Sequence, residues 1–204
     1  MPENNHSSLR PRFCRVKRQR GVASIEFAVV ALLFFTILFG ILEIARAVYL
    51  FNTLQEVTRR AAAIAANSRF DQASVDAVRS EALFRDVNGN LILGDPITPA
   101  HLQIDYLSLA RDPSTKALTL QPASPLPSCP AKNKLNCLTD PYSSSCIRFV
   151  RVRVCQPGGA GDCAPVPYKM LFPLIDLSSV KLPQSTTIVP AQTLGFTFGS
   201  IPCP

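Results

Sequence analysis

The chain has 204 residues, enough for one ordinary domain with an accessory segment and too few for two full domains. With 47% hydrophobic and 17% charged residues it is not disordered as a whole, while 18 prolines against 9 glycines announce a loop-rich region. The net charge of +7 is mostly local, because six basic residues stand against Glu3 alone within Met1–Arg20.

That basic block abuts an apolar run. Phe27 to Leu42 carries no charge and is interrupted only by Thr36 and Gly40. Extended to Val22 and Leu50, the run exceeds the roughly 30 Å of a bilayer's hydrocarbon core at about 1.5 Å per residue. It is long enough to span once. The positive-inside bias explains the basic block and keeps it cytoplasmic, sending the carboxyl-terminal bulk across the membrane. No aromatic platform or recognition-helix pattern accompanies the block, so no nucleic-acid partner is expected.

The helical pattern continues past Glu43 through "EIARAVYLFNTLQEVTRRAAAIAAN", with Ile44, Val48, Phe51, Leu54 or Gln55, and Thr58 to Ala62 near a 3.6-residue period. Two carboxylates punctuate this helix. Glu43 has Arg46 three residues on and is expected to form an interfacial ion pair. Glu26 has no close downstream cation, and an unpaired acid in lipid is costly.

The tract Arg20 to Ala66 resembles the TadE/TadG-like family of the tight-adherence pilus system, whose smaller members are pseudopilins. The likeness lies in the Arg20-Gly21 pair, the short run to Glu26, the apolar helix and the alanine-rich extension. It implies that a prepilin peptidase cuts after Gly21, so that Val22 becomes the new amino terminus. It also implies that Glu26, at the fifth mature position, sets helix register among pilin-like sibling subunits by pairing with a terminal amine. Further implied partners are other pilus assembly membrane proteins and the lipid bilayer. The implied setting is the bacterial inner membrane, crossed once, with the amino terminus cytoplasmic and the larger part periplasmic. Two alternatives stay open. One is a membrane-tethered extracytoplasmic binding module without prepilin processing; the other takes "ARA", Ala45 to Ala47, as a signal-peptide site.

Beyond Asn67, "FDQASVDAVRSEALFRD" predicts a second helix over Phe70–Asp86 with Ala73, Val75 or Asp76, Ala77 and Leu83 to Phe84 on its packed face. "DVNGN" predicts a turn at Asn88-Gly89 rather than a calcium loop, because the later ligand positions Leu91, Ile92 and Leu93 are apolar. "LQIDYLSL" from Leu102 and "IRFVRVRV" from Ile147 predict strands, the second with Val150, Val152 and Val154 on one face and Phe149, Arg151 and Arg153 on a wet face. Leu120 to Cys146 and Gln156 to Pro167 read as irregular, and "TIVPAQTLGFTF" as one or two closing strands with Pro190 at their edge.

Cys14 falls in the leader, leaving Cys129, Cys137, Cys146, Cys155, Cys163 and Cys203 as an even set for disulfides in an oxidising compartment, with fifteen pairings open. Their spacing does not suit zinc, and no phosphate loop or serine elbow appears, so neither a metal, a cofactor nor enzymatic activity is expected. The expected fold class is α+β. Residues 1–21 form a basic cytoplasmic leader, 22–66 a transmembrane helix with its extracytoplasmic extension, and 67–204 an exported domain with a short helix, an antiparallel sheet and irregular cysteine-rich insertions.

Overall fold

The computed structural model describes residues 22–84, 89–158, 163–172 and 179–197. Cys14, Gly21, Cys203 and most of the "DVNGN" turn lie outside the described residues. Residues up to Gly40 and those from Ile41 onward make two separate compact units.

Helix α1 runs Val22–Ala65. Its first part is apolar on every side and exposed, as expected of a helix solvated by something other than water. Within it Thr36 donates to the carbonyl of Leu32 at 2.8 Å, which satisfies the hydroxyl without a partner chain. Phe35 and Phe39, one turn apart, stack at 5.9 Å between centroids.

The second unit is a small α+β domain. The later part of α1 lays Leu50, Leu54, Val57, Ala61, Ala62 and Ala65 into its core. Only the later part of the expected row is buried: Leu54, Thr58, Ala61 and Ala62 face the core, whereas Ile44, Val48 and Phe51 are exposed and the buried row begins with Glu43 and Arg46. Apolar residues occur on both sides of this stretch, so periodicity alone offers little contrast, and the buried side is chosen by what packs against it. Ala61, Ala62 and Ala65 are wholly buried there, and Thr187 of the sheet donates to the Thr58 hydroxyl at 3.0 Å.

Helix α2, Gln72–Ala82, is capped by Asp71, whose carboxylate accepts from the Ser74 amide at 3.1 Å. It is shorter than the predicted Phe70–Asp86 and buries Val75, Val78 and Ala82, whereas Ala73 and Ala77 are exposed. The correction has a simple cause. Valines at 75 and 78 bury more apolar area than alanines at 73 and 77, so the helix rotates to hide them.

Four strands follow: β1 Leu102–Arg111, β2 Leu118–Pro122, β3 Phe149–Val154 and β4 Thr186–Pro190, in the order β2-β1-β3-β4, antiparallel throughout. Val150, Val152 and Val154 are buried against the helices while Phe149, Arg151 and Arg153 lie on the other face, which is the period-two alternation of a sheet with one wet side. Pro190 closes β4, where its missing donor costs no ladder bond. β1 and β2 are joined by a turn in which Asp112 accepts from the amides of Ser114 and Thr115, both at 2.8 Å.

The segment from Leu120 to Cys146 is not wholly irregular. It contains part of β2 and a helix α3, Pro130–Thr139. Proline breaks a helix interior but suits its first position, where the amide has no intrahelical partner in any case; Pro130 occupies that position. Asn133 ties α3 to the start of β3, accepting from the Ile147 amide at 2.8 Å and donating to its carbonyl at 3.3 Å. Cys137–Cys146 and Cys155–Cys163 are disulfides, one bracing α3 and the other the end of β3. Cys129 is also disulfide-bonded.

Candidate functional site

The densest polar constellation in the second unit is built around Glu43 and Arg46, on the first turn of α1 beyond the uncharged run. Their i,i+3 spacing puts both on one helix face, and Arg46 Nη1 lies 3.2 Å from Glu43 Oε1. Both side chains are almost wholly buried. Burial of this kind is tolerated only if every donor and lone pair is served.

Two loops serve them. The first, Leu91–Ile97, folds tightly on itself: the Gly94 amide donates to the Leu91 carbonyl at 2.8 Å and the Ile97 amide to the Gly94 carbonyl at 2.9 Å. Position 94 admits no side chain, since a Cβ there would stand 2.5 Å from the Leu91 side chain. This loop offers two carbonyls, of Leu93 to Arg46 Nε at 2.8 Å and of Asp95 to Arg46 Nη2 at 3.2 Å. The second loop contains Tyr168, Lys169 and Leu171, and its backbone is held by reciprocal bonds between the segments around Val166–Tyr168 and Val180–Leu182.

From that second loop Tyr168 donates its hydroxyl to Glu43 Oε1 at 2.6 Å, and its ring lies under the Arg46 guanidinium at 5.3 Å. The Lys169 carbonyl accepts from Arg46 Nη1 at 2.7 Å, and the Leu171 amide reaches both Glu43 oxygens at 3.3 and 3.4 Å. Burial raises the Tyr168 hydroxyl above its usual pKa, and its bond to Glu43 adds to the shift, so it remains a donor. Lys169 and Asp95 form an exposed ion pair that links the two loops directly. The arrangement is a clamp. One arginine and one glutamate fasten two chain segments, distant in sequence, to the helix where the uncharged run ends.

Glu26 lies in the exposed first part of α1, and Val22 is the first residue of that helix as described. The geometry brings neither to the Glu43–Arg46 clamp. Tyr168 and the carbonyls of Leu93, Asp95 and Lys169 were not singled out from the sequence; the only available signal was that Arg46 has more donors than Glu43 alone can use.

A separate open groove of about 720 Å³ lies between α3 and the ends of β3 and β4, with Asn133, Leu138, Phe149, Pro190 and Phe196 along it. Across it Lys134 Nζ sits 4.7 Å above the Phe196 ring. Among the described residues no cluster of three His, Cys, Asp or Glu is placed to hold a metal ion.

Residues 21–63 match the family model of the TadE-like protein. The TadE-like match covers about a fifth of the chain and contains the apolar run, Glu26 and both helix residues of the clamp. It associates this segment, at superfamily level, with membrane proteins of pilus assembly, a structural rather than enzymatic class. The α1 helix is long and apolar enough to cross a membrane once. Searches of curated proteins and of solved structures returned no match.

Proposed function

We propose that the protein is a pseudopilin-type membrane component for assembly of adhesive tight-adherence pili. In this reading the basic leader is cytoplasmic, α1 crosses the bacterial inner membrane, and the disulfide-containing domain is periplasmic. The observation that supports it is the TadE-like match over 21–63, with Glu26 five residues after Gly21 at the head of an exposed apolar helix. A prepilin peptidase cuts after Gly21, and Glu26 then pairs with the new amine of Val22, on its own or a sibling subunit, fixing the register of neighbouring helices. Phe and Leu side chains along Phe27–Leu42 supply the lateral packing.

Mass analysis of the native amino terminus tests the reading. A terminus at Val22 supports it, and replacement of Gly21 by a bulky residue is expected to block conversion. Glu26→Ala is expected to leave membrane insertion intact and to lower incorporation into the assembly; unaltered incorporation rejects the registration role. The groove beside α3 favours a second reading, a tethered module that binds an extracytoplasmic ligand without processing. An uncleaved leader on a monomeric protein supports that one instead.

A further inference from the structure

The two clamped loops present apolar side chains outward. Leu93 is 62% exposed and Leu171 54%, with Ile92 and, on the helix itself, Ile44 and Val48 also open. Leu93 adopts φ 55°, a left-handed conformation that an L side chain as bulky as leucine rarely takes. The loop thus combines an unfavourable backbone at Leu93 with an outward-facing side chain. Tyr49, one turn from Arg46, donates its hydroxyl to the Ile92 carbonyl at 3.3 Å, an amphipathic ring at the margin of this patch.

The position of the patch along the helix decides its occupant. About 20 helical residues cross a hydrocarbon core of roughly 30 Å, which a span from Val22 to Leu42 consumes. The Leu93 carbonyl and the Leu171 amide are hydrogen-bonded to Arg46 and Glu43, so both loops are fixed within a turn of the point where that span ends. Their other outward members are the charged pair Lys169 and Asp95, suited to the headgroup layer. The geometry points to a lipid-contacting collar: Ile92, Leu93 and Leu171 dip into the leaflet facing the domain, seating the head on the bilayer surface. Insertion by about 5–10 Å is the depth at which such apolar faces rest among headgroups and upper acyl chains. The collar rests on the single-pass reading of α1 and adds to it a second, peripheral contact that no anchor helix by itself requires.

The chain contains no tryptophan, so each introduced one is a sole reporter. Full-length Leu93→Trp, Leu171→Trp, Val30→Trp and Leu138→Trp variants are compared in phosphatidylethanolamine–phosphatidylglycerol vesicles, with and without lipids brominated near the headgroup. Val30 lies in the apolar run, and Leu138 is 76% exposed on α3. The collar predicts blue-shifted emission and loss of most intensity to brominated lipid at positions 93 and 171, as well as resistance to aqueous iodide. Leu138→Trp should show none of these. If Val30→Trp is quenched by brominated lipid while positions 93 and 171 behave like 138, the collar is wrong and the span stands. If positions 93 and 171 resist iodide without being quenched by lipid, another protein covers the patch and the lipid assignment is overturned. An unquenched Val30→Trp overturns the span and the collar together.

Discussion

Two arginine–carboxylate groups of the second unit, the Glu43–Arg46 clamp and the Asp105 cluster of the sheet, are unlike in every respect except composition. At the clamp, Arg46 and Glu43 belong to one helix and retain only 5% and 9% side-chain exposure. On the wet face of the sheet, Asp105 of β1 receives Arg151 at 2.9 Å and Arg153 at 2.8 Å from β3, with 17–27% exposure retained by all three. Strand register brings the second cluster together, since Asp105 stands directly opposite Arg151. The outward arginines, which by sequence alone look like a cationic face, are thus partly neutralised within the sheet. The lesson is that the helix pair is not valuable as a pair. Glu43 takes one of the five donor contacts of Arg46; three others reach the backbone carbonyls of Leu93, Asp95 and Lys169 in the two loops.

The sharpest way to break this contrast is Arg46→Met. It leaves the Glu43 carboxylate buried without its cation and three carbonyls without a donor, and removal of one member of a buried pair costs about 3–5 kcal/mol. Urea unfolding of the detergent-solubilised protein measures it. Arg46→Lys should recover little, because a single ammonium cannot reproduce a planar fork that serves Leu93, Asp95 and Lys169 together. Adding Glu43→Gln to Arg46→Met should restore only part of the loss. Full restoration would mean that the charge pair, and not the carbonyls, was what mattered.

Asp105→Asn probes the other cluster. Both arginines keep a route to water, and partly exposed pairs are screened, so the expected loss is about 1 kcal/mol. A loss as large as that of Arg46→Met would show that the exposed face of the sheet is buried in the working protein, for instance under a partner, and the two clusters would then cease to be different in kind.

How far each cluster was legible follows from the same chemistry. The apolar run and the i,i+3 spacing of Glu43 and Arg46 are local, and local spacing is readable from a chain. The acceptors of Arg46 are main-chain carbonyls lying 47 to 123 residues further on, and a carbonyl leaves no mark in a sequence. Asp105 and its arginines were each placed on strands, but only the β1–β3 register joins them. Val150, Val152 and Val154 were readable as a buried row because alternation with arginine is unambiguous. In the helical extension Leu54, Thr58, Ala61 and Ala62 are buried as their spacing suggests, but the first turns differ because Ile44 and Val48 look more like core residues than Glu43 and Arg46 do. In α3, proline was counted as an interruption when at a helix start it is none.

His101 offers the mildest test, a buried titrating group with no carboxylate partner among the described residues. It closes the short 3-10 turn Pro99–His101, and its Nδ1 accepts from the Thr98 amide at 3.1 Å while its backbone carbonyl accepts from Cys155 at 2.9 Å. Burial, the largest cause, lowers its pKa below 6.5. The unfolded chain therefore binds the proton more readily than the fold does. Its contribution to stability is fully present above about pH 6.5 and declines as pH falls through the lowered folded value. His101→Asn keeps an acceptor for the Thr98 amide without the titration, and should flatten the dependence of the unfolding midpoint on pH in that window. An equal slope in the variant and the parent would place the pH sensitivity at a group other than this histidine.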